Sequence, residues 1–300
     1  MITRRGVITG VGGVAATTLG LGAYALGIEP MWRLVVRHYQ ISPPAWPSGL
    51  KLRVAVVADL HAGEPQMPAR RIEEIVDRTN RLGADVIVLL GDYAASHKWQ
   101  TRLLSPKEWA LELGGLKAPL GVHAVLGNHD WWDDHDAQRA KRGPVIGRRS
   151  LEARGIPVYE NDVVRLQKDG QGFWIAGLAD QIALWKGRQG GRARFQGLDD
   201  LPATLGKVTD DAPVILLAHE PDIFPAVPAR VALTISGHTH GGQVRLFGWS
   251  PYVPSQYQDR YAYGHIVEDG RHLLVSGGLG CSIVPVRFGV PPEIVAIDLA

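Results

Sequence analysis

The chain has 300 residues, of which 45% are hydrophobic, and a formal net charge of +2 at pH 7. This length and apolar content suffice for a globular domain with a sizeable core. The small net charge indicates no nucleic-acid partner, the single cysteine, Cys281, excludes an intrachain disulfide, and no feature indicates an oligomeric state.

The amino terminus carries two arginines followed by an uncharged stretch. Arg4 and Arg5 precede 23 residues without a charge, Gly6 to Ile28, which is enough to span a bilayer at about 1.5 Å rise per residue. Thr3-Arg4-Arg5-Gly6-Val7-Ile8 resembles a bacterial twin-arginine export signal, and the positive-inside rule keeps both arginines in the cytoplasm. We predict a signal or membrane anchor over residues 1–30, hence membrane association and an exported domain; a domain at the cytoplasmic face is the alternative.

Residues 31–49 separate this segment from the rest of the chain. Met31-Trp32-Arg33-Leu34-Val35-Val36 is apolar and basic, which suits either a retained anchor at a membrane interface or the stretch that follows cleavage at Ala23-Tyr24-Ala25. The prolines among residues 43–47 predict an extended connector. We therefore predict a juxtamembrane and Pro-rich linker over 31–49 and a folded domain over 50–300.

Strand and helix patterns alternate in the first half of this domain. Their β-α-β order favours right-handed crossovers and parallel pairing. The predicted strands are Leu52–Ala58, Asp85–Leu90 and His123–Leu126, and the predicted helices are Ala69–Leu82, Pro106–Leu116 and Ala137–Arg154.

Short strands dominate after Val163. This change of pattern fits two packed mixed sheets with helices outside. The strands are predicted over Val163–Leu166, Phe173–Leu178, Val214–Ala218, Ala232–Ser236, Gln243–Phe247, Leu273–Ser276 and Ile294–Asp298.

Five polar segments each follow a predicted strand. The carboxyl ends of parallel strands meet at one rim of a sheet, so these segments should collect there. Carboxylates, imidazoles and neutral oxygen donors together suit two divalent cations about 3.5–4 Å apart, of a borderline kind such as manganese, iron or zinc. The pattern predicts a two-metal hydrolase centre. The segments are Asp59-Leu60-His61, Gly91-Asp92, Gly127-Asn128-His129-Asp130, Ala218-His219-Glu220 and Gly237-His238-Thr239-His240.

The order D-x-H, G-D, G-N-H-D, H-E and G-H-T-H resembles the calcineurin-like metallophosphoesterase superfamily over about residues 51–299. The resemblance implies an α/β fold, a four-layer αββα sandwich of two mixed sheets flanked by helices, placed after the N-terminal signal or anchor segment. It implies that His129 assists the leaving-group oxygen as an electrostatic stabiliser or general acid, and that Asp130 orients the ring of His129. The implied ligands are Asp59, His61, Asp92 and His240 for one metal, and Asp92, Asn128, His219 and His238 for the other, with Asp92 bridging.

Such a centre would hydrolyse a phosphoester or pyrophosphate bond with metal-activated water. Gly277-Gly278-Leu279-Gly280, Pro285-x-Arg287-Phe288 and the N-terminal segment resemble a bacterial branch that includes membrane-associated phosphodiesterases and UDP-2,3-diacylglucosamine pyrophosphatases of lipid A synthesis. We predict a phosphodiester or pyrophosphate substrate that is lipid- or envelope-derived. The pyrophosphatase of lipid A synthesis is the alternative if the domain is cytoplasmic, and a non-catalytic scaffold on the same fold is another.

Three further features keep two interpretations each. Asp180–Gly197, which is rich in arginine and lysine, either clamps a second phosphate or is a flexible surface loop. The aromatic segment Trp249–Tyr263 either lines the site or packs structurally. Arg287 either reaches a phosphate or forms a structural ion pair.

Overall fold

Two mixed β-sheets lie at the centre of the protein, in a computed structural model that describes residues 16–94 and 97–300. The strands are β1 (Val35–Ile41), β2 (Leu52–Val57), β3 (Gly63–Glu64), β4 (Val86–Leu89), β5 (Arg102–Leu103), β6 (Val122–Ala124), β7 (Asp162–Lys168), β8 (Gln171–Gly177), β9 (Leu184–Gln189), β10 (Arg192–Gln196), β11 (Val214–Leu217), β12 (Val231–Ser236), β13 (Gly264–Glu268), β14 (Arg271–Val275) and β15 (Glu293–Leu299). The α-helices after residue 50 are α1 (Ala69–Asn80), α2 (Pro106–Leu113), α3 (Asn128–Trp132), α4 (His135–Ala140), α5 (Ile146–Glu152) and α6 (Leu201–Gly206).

The first sheet has the strand order β1-β15-β2-β4-β6. Strands β2, β4 and β6 are parallel, as the β-α-β pattern predicted, whereas β15 runs antiparallel to β2. Every residue of β4 is buried, which is typical of a parallel strand with both faces covered. The carboxyl ends of β2, β4 and β6 therefore share one edge.

The second sheet has the order β13-β14-β12-β11-β8-β7. Its four inner strands are parallel, and the hairpins β7–β8 and β13–β14 add an antiparallel strand at each edge. Val54, Val56 and Val88 of the first sheet share a buried apolar cluster with Ile215 and Ile235 of the second. Helices cover the outer faces, so the predicted fold class of two mixed sheets flanked by helices is confirmed.

Strand β1 lies inside the segment that was predicted to be a linker. Residues Val35–Ile41 pair in parallel with β15, and Ile41 and Trp46 are buried. Arg71 and Arg78 of α1 donate hydrogen bonds to the backbone carbonyls of residues 31–34. The linker prediction is therefore wrong for this strand, because β1 covers an edge of the sheet that would otherwise leave unpaired N–H and C=O groups.

Deleting residues 1–49 is expected to lower the Tm well below that of a fragment starting at Arg33. The longer deletion removes β1 and Trp46, and a fully buried large apolar side chain is worth about 1.5–3 kcal/mol. A loss of about 3 kcal/mol corresponds to roughly 5–10 °C in a domain of this size. Thermal unfolding of the two fragments and the full chain tests this, and equal Tm values for the two fragments would contradict a structural role for β1.

Two other elements differ from the sequence prediction. The helix predicted over Ala137–Arg154 is two helices, α4 and α5, because Gly143-Pro144 lies between them and proline cannot continue a helix. Residues 243–247 form isolated bridges rather than a strand. Gln243 and Phe247 both have left-handed backbone, with φ of 56° and 51°, which interrupts an extended strand.

The described chain begins in a helix over residues 16–32 that contains a π-helical turn, Tyr24–Ile28. Its Ala25 carbonyl accepts the backbone N–H of Arg287, and the Tyr24 and Phe288 rings meet at a centroid distance of 5.9 Å. Arg4 and Arg5 of the predicted signal lie outside the described residues. Within residues 16–94 and 97–300, no helix is both long and apolar enough to cross a membrane.

Candidate metal centre

The five polar segments meet where the strand ends of the two sheets come together, and not at the rim of a single sheet as the pattern predicted. Asp59 and His61 follow β2, Asp92 follows β4, and Asn128 begins α3 after β6; His219, His238 and His240 follow β11 and β12 of the second sheet. Three groups each place their ligand atoms within 4.8 Å of one another, and two of these groups consist of predicted ligands; the third is Asp180, His219 and Glu220. The structure therefore brings the predicted ligands together, as a first cluster of Asp59, His61 and His240 and a second cluster of Asp92, His219 and His238.

Asp92 belongs to the second cluster and also approaches the first. Its Oδ2 atom is 3.6 Å from His61 Nε2 in the first cluster and 3.2 Å from His219 Nε2 in the second. Its Oδ1 atom accepts the backbone N–H of His129 at 2.9 Å, which fixes the carboxylate plane. A single carboxylate that contacts both clusters has the geometry of a bridging ligand.

Backbone carbonyls select the ring nitrogens that face the centre. His61 Nδ1 donates to the Ala94 carbonyl at 3.0 Å, and His219 Nδ1 donates to the Leu90 carbonyl at 2.6 Å. Each ring then directs its Nε2 atom toward the clusters, which is the usual arrangement of metal-ligating histidines. Burial lowers the pKa of His61 to about 3, so its ring stays neutral and its Nε2 lone pair is free to bind a cation.

His219 is surrounded by carboxylates. Burial alone would lower its pKa, but Asp92 and Glu220 raise it well above the usual value. Glu220 and Asp180 are both buried behind it, and burial and Glu220 raise the pKa of Asp180. A cation at this position would compete with the proton of His219, so metal binding should be favoured at higher pH.

Several buried polar atoms in the centre have no hydrogen-bond partner. They include Asp59 Oδ2, Asn128 Oδ1 and His238 Nδ1. Leaving such a group unpaired costs about 1–3 kcal/mol, and burial also raises the pKa of Asp59 to about 7. These atoms and the donor set of carboxylate, imidazole and amide oxygen fit two divalent cations, which would satisfy them.

Strained backbone conformations accompany the ligands. Asp59, His61 and Asp92 have φ values of 54°, 47° and 53°, and His238 and His240 have 66° and 53°. A non-glycine residue in the left-handed region costs of the order of 1–3 kcal/mol and persists only where its surroundings enforce it. Strain at five of the seven inferred ligands therefore indicates a site shaped for function rather than for stability.

Glycine is required beside the ligands by close approach. A Cβ atom at Gly127 would lie 2.3 Å from Asp92 Oδ1 and 2.7 Å from His219 Cε1, and one at Gly237 would lie 2.6 Å from Asp59 Oδ2. Both distances to the carboxylates are shorter than any normal contact. The glycines of the G-N-H-D and G-H-T-H segments thus leave the space that the ligand side chains occupy.

His129 lies at the rim of the centre and is partly exposed. Its ring centroid is 5.2 Å from that of His61 and 5.0 Å from that of Trp132. Burial lowers its pKa, so the neutral ring is favoured, and a neutral imidazole can still donate an N–H to a departing oxygen.

No hydrogen bond joins Asp130 to the His129 ring in the described part of the chain. Its two carboxylate oxygens accept the backbone N–H groups of Asp92, Tyr93, Ala94 and Gly127 at 2.9–3.2 Å. These hydrogen bonds do not support the predicted role of Asp130 in orienting the His129 ring, which stays a prediction. Asp130 instead ties the loop that carries Asp92 to the turn that carries Asn128.

The surroundings of Arg287 fit neither of the two interpretations drawn from the sequence, a phosphate contact or a structural ion pair. The side chain is fully buried and donates to the carbonyls of Gly277, Gly280 and Val290, while its Nη2 atom lies 3.0 Å from His240 Nδ1. Within the described residues it forms no ion pair. Arg287 therefore supports the loop behind His240. In the sequence, the glycine-rich run Gly277-Gly278-Leu279-Gly280 is the feature that could have indicated this role.

Known proteins that this chain resembles are named as phosphoesterases. Residues 52–242 match the family described as Calcineurin-like phosphoesterase. The chain is 28% identical to the uncharacterized metallophosphoesterase YkuE of Bacillus subtilis over 99% of this chain and 98% of that protein. It is 27% identical to phosphodiesterase YaeI of Escherichia coli over the full length of both. A zebrafish (Danio rerio) protein named "Transmembrane protein with metallophosphoesterase domain" is 29% identical over 83% of this chain and 53% of its own length.

Proposed function

The chain belongs to the calcineurin-like phosphoesterase family, and we propose that it hydrolyses a phosphodiester or pyrophosphate bond of a lipid- or envelope-derived substrate while associated with a membrane. The resemblance seen in the sequence is thus confirmed at the level of the family. Metal-dependent phosphoesterase activity follows from that membership. The observation that carries the proposed mechanism is the approach of Asp92 to histidines of both clusters.

The proposed metal ligands are those inferred from the sequence. Two bound divalent cations would polarise the phosphoryl oxygens and lower the pKa of a water molecule. Asp92 would bind both ions. His129, at the rim of the centre, would donate its N–H toward the leaving-group oxygen. The first ion would be held by Asp59, His61, Asp92 and His240, and the second by Asp92, Asn128, His219 and His238.

Two observations support the finer substrate class. The Escherichia coli relative is named a phosphodiesterase, which favours a diester. The uncharged N-terminal stretch and the relatives named as transmembrane proteins favour a substrate at a membrane. The alternative is the UDP-2,3-diacylglucosamine pyrophosphatase of lipid A synthesis. A non-catalytic scaffold is disfavoured, because such modules lose ligands and this chain retains every inferred one.

Chelation followed by metal replacement tests the activity. We expect the full chain in detergent to lose hydrolysis when stripped of metal and to regain it with Mn²⁺, Fe²⁺ or Zn²⁺, because the buried ligand atoms need a cation to position substrate. Bis-p-nitrophenyl phosphate, p-nitrophenyl phosphate and UDP-2,3-diacylglucosamine should be compared side by side. The preferred substrate identifies the bond type, whereas metal binding without turnover on any of them would contradict the proposed substrate class.

The location of the domain separates the two substrate proposals. If the Arg4-Arg5 segment directs export, the domain of membrane-bound protein should be digested by protease added to intact spheroplasts, and Arg4→Lys/Arg5→Lys should protect it. A cytoplasmic marker protein provides the control for spheroplast integrity. Complete protection of the unaltered protein would reject export and favour the cytoplasmic pyrophosphatase.

A further inference from the structure

A cavity of about 600 Å³ opens beside the metal centre, between helix α4 and the β9–β10 hairpin. Its apolar wall consists of three aromatic side chains, Trp132, Trp185 and Phe195, and two cationic side chains, Arg139 and Lys141, also line it. The sequence did not predict this hairpin, since residues 180–197 were interpreted as a loop. A cavity of this size can hold most of a small organic molecule.

The aromatic wall is continuous with the candidate catalytic histidine. The His129 ring meets the Trp132 ring edge to face at 5.0 Å, and the Trp132 ring stacks on Phe195 at 4.6 Å with an interplanar angle of 15°. Phe195 in turn meets Trp185 at 5.3 Å. A group that leaves the phosphorus on the His129 side would therefore pass directly onto this wall.

Hydrogen bonds hold the wall in place without a ligand. Gln138 donates to the carbonyls of Trp131 and Ala183 and accepts the backbone N–H of Trp185, all between 2.6 and 3.0 Å. Trp132 Nε1 donates to the Ile182 carbonyl at 2.9 Å. These bonds fasten the hairpin to α3 and α4, so the aromatic surface is preorganised and binding would not have to order it.

Charge and shape at the cavity indicate the chemistry of its ligand. The hairpin strands carry arginine and lysine at four positions and no acidic residue. Trp185 is 43% exposed, so part of its ring surface is free to receive a planar group. Arg139 pairs with Asp136, and Lys141 donates to the Trp185 carbonyl at 3.0 Å, so Lys141 is the cation without an acidic partner among those that line the cavity. An aromatic surface beside such a cation suits a ring system that carries an anionic group, because bases stack on such surfaces and phosphates pair with the cation.

We propose that this cavity binds the leaving-group portion of the substrate and selects one that combines an aromatic ring with an anionic group, as a nucleotide does. The inference rests on the proposed function, since it uses His129 to define the leaving-group side. It adds a specificity determinant, the aromatic surface of Trp132, Trp185 and Phe195 with the cation of Lys141 beside it. An aliphatic chain would bury apolar surface against these rings, but it could neither stack on them face to face nor pair with the cation.

Direct binding tests the proposal independently of turnover. Calorimetric titration of the metal-loaded full chain with adenosine 5′-monophosphate should give a Kd that Trp185→Ala raises roughly 10-fold or more, the range expected for loss of a base-stacking side chain. Trp185→Phe should restore binding, and Trp32→Ala, an exposed tryptophan on the N-terminal helix, is the matched control. Lys141→Ala should weaken nucleotide binding and reduce its dependence on salt.

The results of these titrations test the proposed subsite separately from the proposed phosphoesterase function. Inorganic phosphate provides the baseline for binding to the metals alone, and dodecyl phosphate represents an aliphatic ligand. Nucleotide binding that Trp185→Ala leaves unchanged, or dodecyl phosphate binding that Trp185→Ala weakens more than nucleotide binding, would overturn the proposed subsite. Turnover of bis-p-nitrophenyl phosphate in the same preparation shows whether the phosphoesterase proposal stands, whatever the titrations give.

Discussion

Asp92→Asn is expected to reduce turnover by at least about 10³-fold and to lower the metal content below two ions per chain. Asp92 Oδ2 is the atom that lies within 3.2–3.6 Å of a histidine nitrogen from each cluster. An amide is uncharged and offers one oxygen in place of two, so it cannot bridge and stabilise two cations. The metals are expected to stabilise the transition state by several kcal/mol. Losing that stabilisation gives a rate loss of this size, because each factor of ten in rate corresponds to about 1.4 kcal/mol.

Metal analysis and turnover should be measured together on the purified variant. The control is Asp269→Asn, which makes the same chemical change at a side chain that is 89% exposed and far from the centre in the second sheet's β13–β14 turn. The control should keep two ions and full activity. Two ions retained per chain by Asp92→Asn would show that Asp92 is not the bridging ligand.

His129→Ala is expected to lower turnover by roughly 10²–10⁴-fold, the usual range for acid–base assistance, without loss of metal. The ring is at the rim of the centre, and the hydrogen bond to Asp92 comes from the backbone N–H of residue 129, which alanine keeps. The ligand geometry should therefore survive the substitution. The proposed role of His129, at the leaving-group oxygen and not at the ions, predicts this combination of results.

A series of leaving groups distinguishes this role from a structural one. Loss of a group that donates a proton or hydrogen bond to the departing oxygen should harm a phenyl ester more than a p-nitrophenyl ester, because the more acidic phenol needs less assistance. His265→Ala, at a histidine pair on the edge hairpin β13–β14, provides the control. A fall in metal content, or an equal loss for both esters, would contradict the assigned role.

The sequence was sufficient to predict the elements that follow local rules. Val86–Leu89 is a continuous apolar run, Leu52–Val57 is apolar except for the exposed Arg53, and α1 has a regular apolar face. Polar residues directly after such strands must lie at one edge of a parallel sheet. The inferred ligands could therefore be recognised before any distance was known.

Edge and surface elements were harder to predict because their residues are only half buried. Strand β1 begins within an apolar, basic stretch that suited a membrane interface equally well, and it pairs with the edge that β15 offers. The β9–β10 hairpin is rich in arginine and glycine, so its sequence does not distinguish a strand from a loop. Its position depends on Gln138, which lies more than forty residues away.

The types and order of the inferred ligands, and the strands that carry them, were determined by the sequence alone, because apolar runs and the residues that end them are local features. Only the tertiary structure decided that Asp92 approaches histidines of both clusters, that Asp130 accepts four backbone N–H groups, and that Trp132 lies between His129 and a cavity. These relations connect residues from two sheets and a distant hairpin. Distances across such packing depend on the arrangement of the whole core, which no local pattern encodes.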